Sequence, residues 1–137
     1  MTRRRGSRGA AERGSATLEI AILGPALLLL VFTVVQVALW FYARSLALAA
    51  AQEGVGAARG FGAPTAAGVA RAEAFLARSA GDSLQAARVT AIPAGAQRVR
   101  IEVTGRALSV VPGVPGPVVD QSAEGPVERF TTPGGGP

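Results

Sequence analysis

The sequence contains no cysteine and no histidine, and each of its 14 basic residues is an arginine. Without cysteine, disulfide bonds and thiolate metal sites are excluded. Without histidine, the chain lacks the usual general base and the commonest metal ligand, so any catalysis would depend on serine, aspartate and glutamate. No arrangement of those residues suggests an active site. We expect a structural protein rather than an enzyme, with no cofactor, no metal and no small-molecule substrate.

Charge is also missing from a long apolar stretch, residues 20–42. As a helix rising about 1.5 Å per residue, its 23 residues span about 34 Å, enough to cross the ~30 Å hydrocarbon core of a bilayer. We therefore predict one membrane-spanning helix. Four residues interrupt the apolar pattern: Gly24, Pro25, Thr33 and Gln36. Because proline has no N–H to donate, we predict a helix kink at Gly24 and Pro25.

The flanks of this stretch predict its orientation. Residues 1–14 hold five arginines and one acid, whereas Arg44 is the only basic residue in the dozen after the stretch. An arginine excess marks the cytoplasmic side, so we expect the N-terminus in the cytoplasm and the C-terminus outside the inner membrane. Trp40, Phe41 and Tyr42 would form the outer interface belt. A basic arm can bind nucleic acid, but arginine beside an apolar span needs no such partner, and none is expected.

Glu19 is the only charged residue between Arg13 and Arg44, and it directly precedes the apolar stretch. A charge at the centre of a membrane helix costs about 2.5–3.5 kcal/mol and less near the interface, so such a residue is a functional candidate. The alternative is that Glu19 lies among the lipid headgroups, where the helix dipole favours an acid.

The order of a small residue (Gly14), a short spacer, Glu19 and an apolar helix resembles a type IV prepilin. The longer run of residues 13–60 adds an early Pro25, an aromatic exit and an alanine-rich continuation with the step Gln52-Glu53-Gly54. This ordered set resembles the N-terminal region of TadE-like proteins, which are minor pilins or pseudopilins of the tight-adherence (Tad, or Flp-type) pilus and secretion system.

The resemblance implies processing and assembly. A prepilin peptidase would cut between Gly14 and Ser15, which removes the arginine-rich leader, and Glu19 would be the assembly carboxylate. The membrane, other pilin subunits and the pilus assembly platform would be the remaining partners. The new amine at Ser15 would be largely charged at neutral pH, and it could pair with Glu19 of a neighbouring subunit. Many type IV pilins begin with an aromatic mature residue, from which Ser15 departs.

The residues after Tyr42 predict a small outer domain. Alanine, the best helix former, should carry the membrane helix to about Ala58, and glycines 54–62 should weaken and end it. Helical spacing predicts a second helix from Pro64 or Thr65 to Ser79. Alternation and turn residues predict strands at 86–92, 98–104, 108–111, 118–121 and 127–130.

The predicted fold class is α+β, with a long pilin-like membrane helix that continues into a stalk, followed by a small helix and an antiparallel β-sheet. The chain would comprise four regions: a basic leader (1–14), a transmembrane and stalk helix (15–59), an extracytoplasmic domain (60–131) and a disordered tail (132–137).

Two other interpretations stay open. An unprocessed, membrane-anchored accessory protein of an envelope or secretion complex would keep its arginine-rich N-terminus. A secreted protein would be cut near Ala47-Leu48-Ala49, which fits an A-x-A signal-peptidase site. Against the second, the apolar stretch is longer than the ~7–15 residues of a usual signal peptide.

Overall fold

The structure is a computed structural model that describes residues 8–95 and 97–128, with side chains from Glu19 onward. The described elements are α1 (Arg8–Ala58), α2 (Thr65–Ser79), a 3-10 helix (Gly81–Ser83), β1 (Leu84–Pro93), β2 (Arg98–Ala107) and β3 (Val118–Pro126). The predicted α+β class is confirmed. The chain divides into two compact units, Met1–Val35 and Gln36–Pro137.

In the first unit, α1 exposes apolar side chains on every side. The large hydrophobic residues between Ile20 and Val35 are 41–71% exposed. A helix that is apolar all round is suited to lipid rather than water. Within the described residues, one segment of α1 (Glu19–Ala58) is long and apolar enough to cross a membrane, which is consistent with a membrane-anchored protein. Pro25 lies inside α1, and the kink predicted there stays a prediction.

In the second unit, the rest of α1 forms part of a folded core. Its buried residues recur every three or four positions and are Ala43, Leu46, Ala47, Ala50, Ala51, Val55 and Ala58. They pack in one cluster with α2 and one face of the sheet. The sequence pattern predicted that the helix up to residue 59 forms a stalk outside the domain. The structure differs, because residues 36–58 are the central helix of that domain.

The sheet is an antiparallel meander with strand order β1-β2-β3. The alternation predicted for β2 is confirmed, since Val99, Ile101 and Val103 are buried on the inner face. Along α1, the Trp40 side chain bonds to Val118 at the start of β3, and the Arg59 carbonyl accepts from the Glu128 N–H just beyond its end. The second half of α1 therefore runs beside β3 in the same direction.

The last three predicted strands agree with the structure to different degrees. Residues 118–121 are confirmed as the start of a longer strand, β3. The strand predicted at 108–111 is wrong, because these residues belong to the β2–β3 loop, whose backbone groups at Leu108 and Val110 bond to Gln36. Of the strand predicted at 127–130, residues 127 and 128 are not in a strand, and the rest lies outside the described residues. The tail predicted at 132–137 also lies outside them.

The predicted end of the helix at about Ala58 is confirmed, and α1 continues through Gly54 to reach it. A Cβ atom on Gly54 would lie 2.8 Å from the carbonyl oxygen of Gly68 in α2. A Cβ atom on Gly68 would lie 2.6 Å from the Cβ of Ala58. The two glycines therefore let α1 and α2 approach closely enough for both helices to cover Ile101 of the sheet.

We predict that Gly54→Ala lowers the free energy of unfolding by about 1–3 kcal/mol, since the added methyl group overpacks the helix contact. Gly56→Ala is the matched control, because a Cβ atom there meets nothing within 4 Å. It should instead stabilise α1 by about 0.5–1 kcal/mol, the usual difference between glycine and alanine in a helix. Thermal melts in detergent, followed by Trp40 fluorescence, compare the two. Equal effects would contradict the close helix contact.

Candidate functional site

The predicted processing site and assembly carboxylate lie near the start of α1. The structure places Gly14, Ser15 and Glu19 in one continuous helix. Residues 15 and 19 are four positions apart, so they lie one turn apart, about 6 Å along the axis. The Glu19 side chain is exposed, and it makes no ion pair or hydrogen bond with the described side chains.

Because the backbone at Gly14 is helical, a protease cannot bind the peptide bond after Gly14 in its present conformation. A bond held in a helix must open before it can lie extended in a cleft. Gly14 lowers the free energy needed for that opening, because glycine is about 1 kcal/mol less favourable than alanine in a helix. A cut after Gly14 would leave an ammonium group at the positive end of the helix dipole, which disfavours a cation and favours a nearby acid.

The predicted aromatic belt divides between two environments. The Trp40 side chain packs against the domain core, and its indole N–H donates to the carbonyl oxygen of Val118 at 3.1 Å. The Arg44 guanidinium lies 5.6 Å from the centre of the Trp40 ring. Phe41 and Tyr42 are about half exposed. Trp40 therefore joins α1 to β3, while its two neighbours remain available to an interface.

Gln36 holds the β2–β3 loop in place. In the sequence it was noted only as an interruption of the apolar stretch. Its side-chain amide N–H donates to the carbonyl oxygen of Leu108 at 3.0 Å. Its amide oxygen accepts from the N–H of Val110 at 2.9 Å. One side chain thus bonds two backbone groups of the β2–β3 loop and fixes that loop to α1.

The energetics explain why this amide is paired. Burying an amide without partners costs roughly 2–7 kcal/mol, and Gln36 is only partly exposed. Both of its hydrogen-bonding functions are satisfied by the loop, which offsets that cost. The available sequence signal was an uncharged polar side chain with a donor and an acceptor inside an apolar stretch. Its partners lie more than 70 residues away, and no local pattern indicates them.

Two exposed arginines of β2 pair with an acid of the neighbouring strand. The structure places Arg98 and Arg100 on the outer face, where both contact Glu124 of β3. The Arg98 Nε lies 2.5 Å from Glu124 Oε1, and the Arg100 side chain donates twice to Oε2, at 2.6 and 3.0 Å. Two cations thus share one carboxylate. These exposed pairs hold the register of β2 against β3 and contribute modestly to stability.

The hydrogen bond from Arg100 is the main reason that the pKa of Glu124 lies below its ordinary value of 4.5, with the charge of Arg98 adding to it. We predict that Arg100→Gln raises the Glu124 pKa toward 4.5, and that Arg98→Gln raises it less. Because the folded-state pKa is lowered, the stabilisation is present above pH 4.5 and lost as pH falls through the folded-state value. NMR titration of the Glu124 carboxyl carbon measures both shifts. An unchanged titration in Arg100→Gln would contradict this assignment.

Other surfaces offer little chemistry. An open groove between α1 and α2 is lined in part by Glu53 and Arg71, which pair with each other at 2.9 Å. Among residues 8–95 and 97–128, no group of three or more acidic side chains could hold a metal ion. The groove is shallow, and its charges are already paired.

Comparison with known proteins gives one finding. The family model described as TadE-like protein matches residues 14–55. The match begins at the glycine of the predicted processing site and ends inside the buried part of α1. No curated protein and no solved structure matches the chain.

Proposed function

We propose that this chain is a TadE-like minor pilin subunit of a Tad-type pilus or secretion apparatus, anchored in the cytoplasmic membrane with its N-terminus in the cytoplasm. Its role is structural and not enzymatic. A prepilin peptidase cuts between Gly14 and Ser15, and Glu19 then serves assembly with other pilin subunits and the assembly platform. The proposal rests on two features of one helix: the family match starts at Gly14, and Glu19 is the only charged residue between Arg13 and the apolar segment.

The electrostatics of the processed end support this role. Cutting after Gly14 removes five arginines, and these hold the leader in the cytoplasm. It leaves one ammonium group and one carboxylate beside an apolar helix. Each is unfavourable alone near lipid, and a pair between neighbouring subunits would satisfy both. A wrong stagger would leave both charges unpaired, so the pair selects one register between helices.

We predict that co-expression with a Tad prepilin peptidase yields a mature chain that begins at Ser15, and that Gly14→Leu retains residues 1–14. A leucine side chain at the scissile bond blocks the close approach of the backbone to the protease. Mass spectrometry of the N-terminal peptide from isolated membranes measures the outcome.

Gly24→Leu is the control for the first experiment, because it makes the same change in the same helix away from the cut. It should be processed normally. An intact leader in the native chain would favour the unprocessed accessory protein, an alternative supported by the helical backbone across Gly14 and Ser15. A start near Ala50 would instead indicate signal-peptidase release.

We predict that Glu19→Ala leaves processing intact but reduces crosslinking to partner pilins by at least about tenfold, which corresponds to about 1.4 kcal/mol of lost association free energy. Glu19→Asp should retain part of it, since the carboxylate is kept. Glu53→Ala removes an acid of the outer domain and should have little effect. Normal assembly of Glu19→Ala would refute the role of the carboxylate.

A further inference from the structure

We propose that the β2–β3 loop, residues 108–117, inserts into the outer lipid interface and is a second membrane contact of this protein. The inference rests on the membrane-spanning role of α1 given above. The loop carries no charge, and with its flanks it forms an uncharged run from Ala107 to Val119, between Arg106 and Asp120.

The loop has a rigid apolar tip. The Val114 N–H donates to the carbonyl oxygen of Val111 at 3.2 Å, and Gly113 has a φ of +77°. Proline followed by glycine at positive φ is typical of a type II turn. Val111 and Val114 stand at its corners and are 50% and 54% exposed. A preformed turn presents these side chains without further loss of conformational entropy.

The position of the loop along α1 indicates what covers it. Gln36 holds the loop through Leu108 and Val110. Residues 20–35 measure about 24 Å as a helix, which is less than the ~30 Å thickness of a bilayer core. If Ile20 lies at the inner boundary, Gln36 has not yet left the hydrocarbon. A loop bonded to Gln36 then lies at the level of the outer leaflet.

The polar groups of the loop suit that position. Irregular backbone exposed to lipid is costly because unpaired N–H groups find no water. Pro112, Pro115 and Pro117 have no N–H. The N–H of Val110 is bonded to Gln36, and the N–H of Val111 is bonded to Ser109 Oγ. Many backbone positions of the loop therefore have no N–H group or have one that is already hydrogen-bonded. This lowers the free-energy cost of burying the loop in the lipid interface.

The test uses the absence of cysteine from the chain. Single variants Val111→Cys and Val114→Cys of the full chain are labelled with an environment-sensitive fluorophore and reconstituted in vesicles of phosphatidylethanolamine and phosphatidylglycerol at about 3:1. Val31→Cys in the apolar helix is the lipid control. Gln97→Cys, exposed at the opposite end of the sheet, is the water control. Unchanged Trp40 emission verifies that each labelled chain is folded.

We predict that spin-labelled lipids quench both loop labels at least twofold more than the Gln97 label, with shallow spin labels more effective than deep ones. Loop labels that behave like the Gln97 label, while the Val31 label is quenched, would overturn the loop contact and leave the membrane anchor intact. Loop labels shielded from both lipid and aqueous quenchers would also overturn it, because a second protein copy would then cover the tip. An unquenched Val31 label would refute the anchor itself, and the loop contact with it.

Discussion

The paired side-chain amide of Gln36 is the constraint on which the second compact unit depends. It lies where an all-round apolar helix becomes the buried helix of a domain, and it bonds one donor and one acceptor of the β2–β3 loop. Trp40, one turn further, bonds the start of β3. These two side chains fix the β2–β3 loop and the start of β3 to the first residues of α1 in this unit. Beyond these two residues, the buried side chains of α1 pack against α2 and the sheet as far as Ala58.

One helix therefore meets two environments, and its composition changes accordingly. Before Gln36, leucine, valine and phenylalanine face outward and suit lipid. After Ala43, alanine dominates the buried side, because small residues let the sheet and α2 approach closely. At Gly54 and Gly68 the two helices are so close that a Cβ atom on either residue would clash with the other helix. Two acids of α1 differ as well: Glu19 has no ion pair with the described side chains, whereas Glu53 pairs with Arg71.

Local sequence patterns were sufficient to predict the elements that depend on neighbouring residues. The apolar stretch, the bounds of α2 and the alternation of β2 are of this kind, and all three are confirmed. The contact of Gly54 with α2 was not predicted, because no local pattern shows that α2 approaches α1 there. The strand at 108–111 was wrong because its residues bond to Gln36 instead of to a strand. The hydrogen bond from Trp40 to Val118 was not predicted, because the two residues are 78 positions apart.

Hydrogen exchange of the Val110 amide tests the attachment at Gln36 most directly. In lipid nanodiscs, NMR should show this amide exchanging about fivefold faster in Gln36→Leu than in the native chain, since a net hydrogen bond is worth about 1 kcal/mol and a factor of ten corresponds to about 1.4 kcal/mol. Thr33→Val, which also removes a polar group from α1, should leave the rate unchanged. Equal exchange of Val110 in the native chain and in Gln36→Leu would contradict the account.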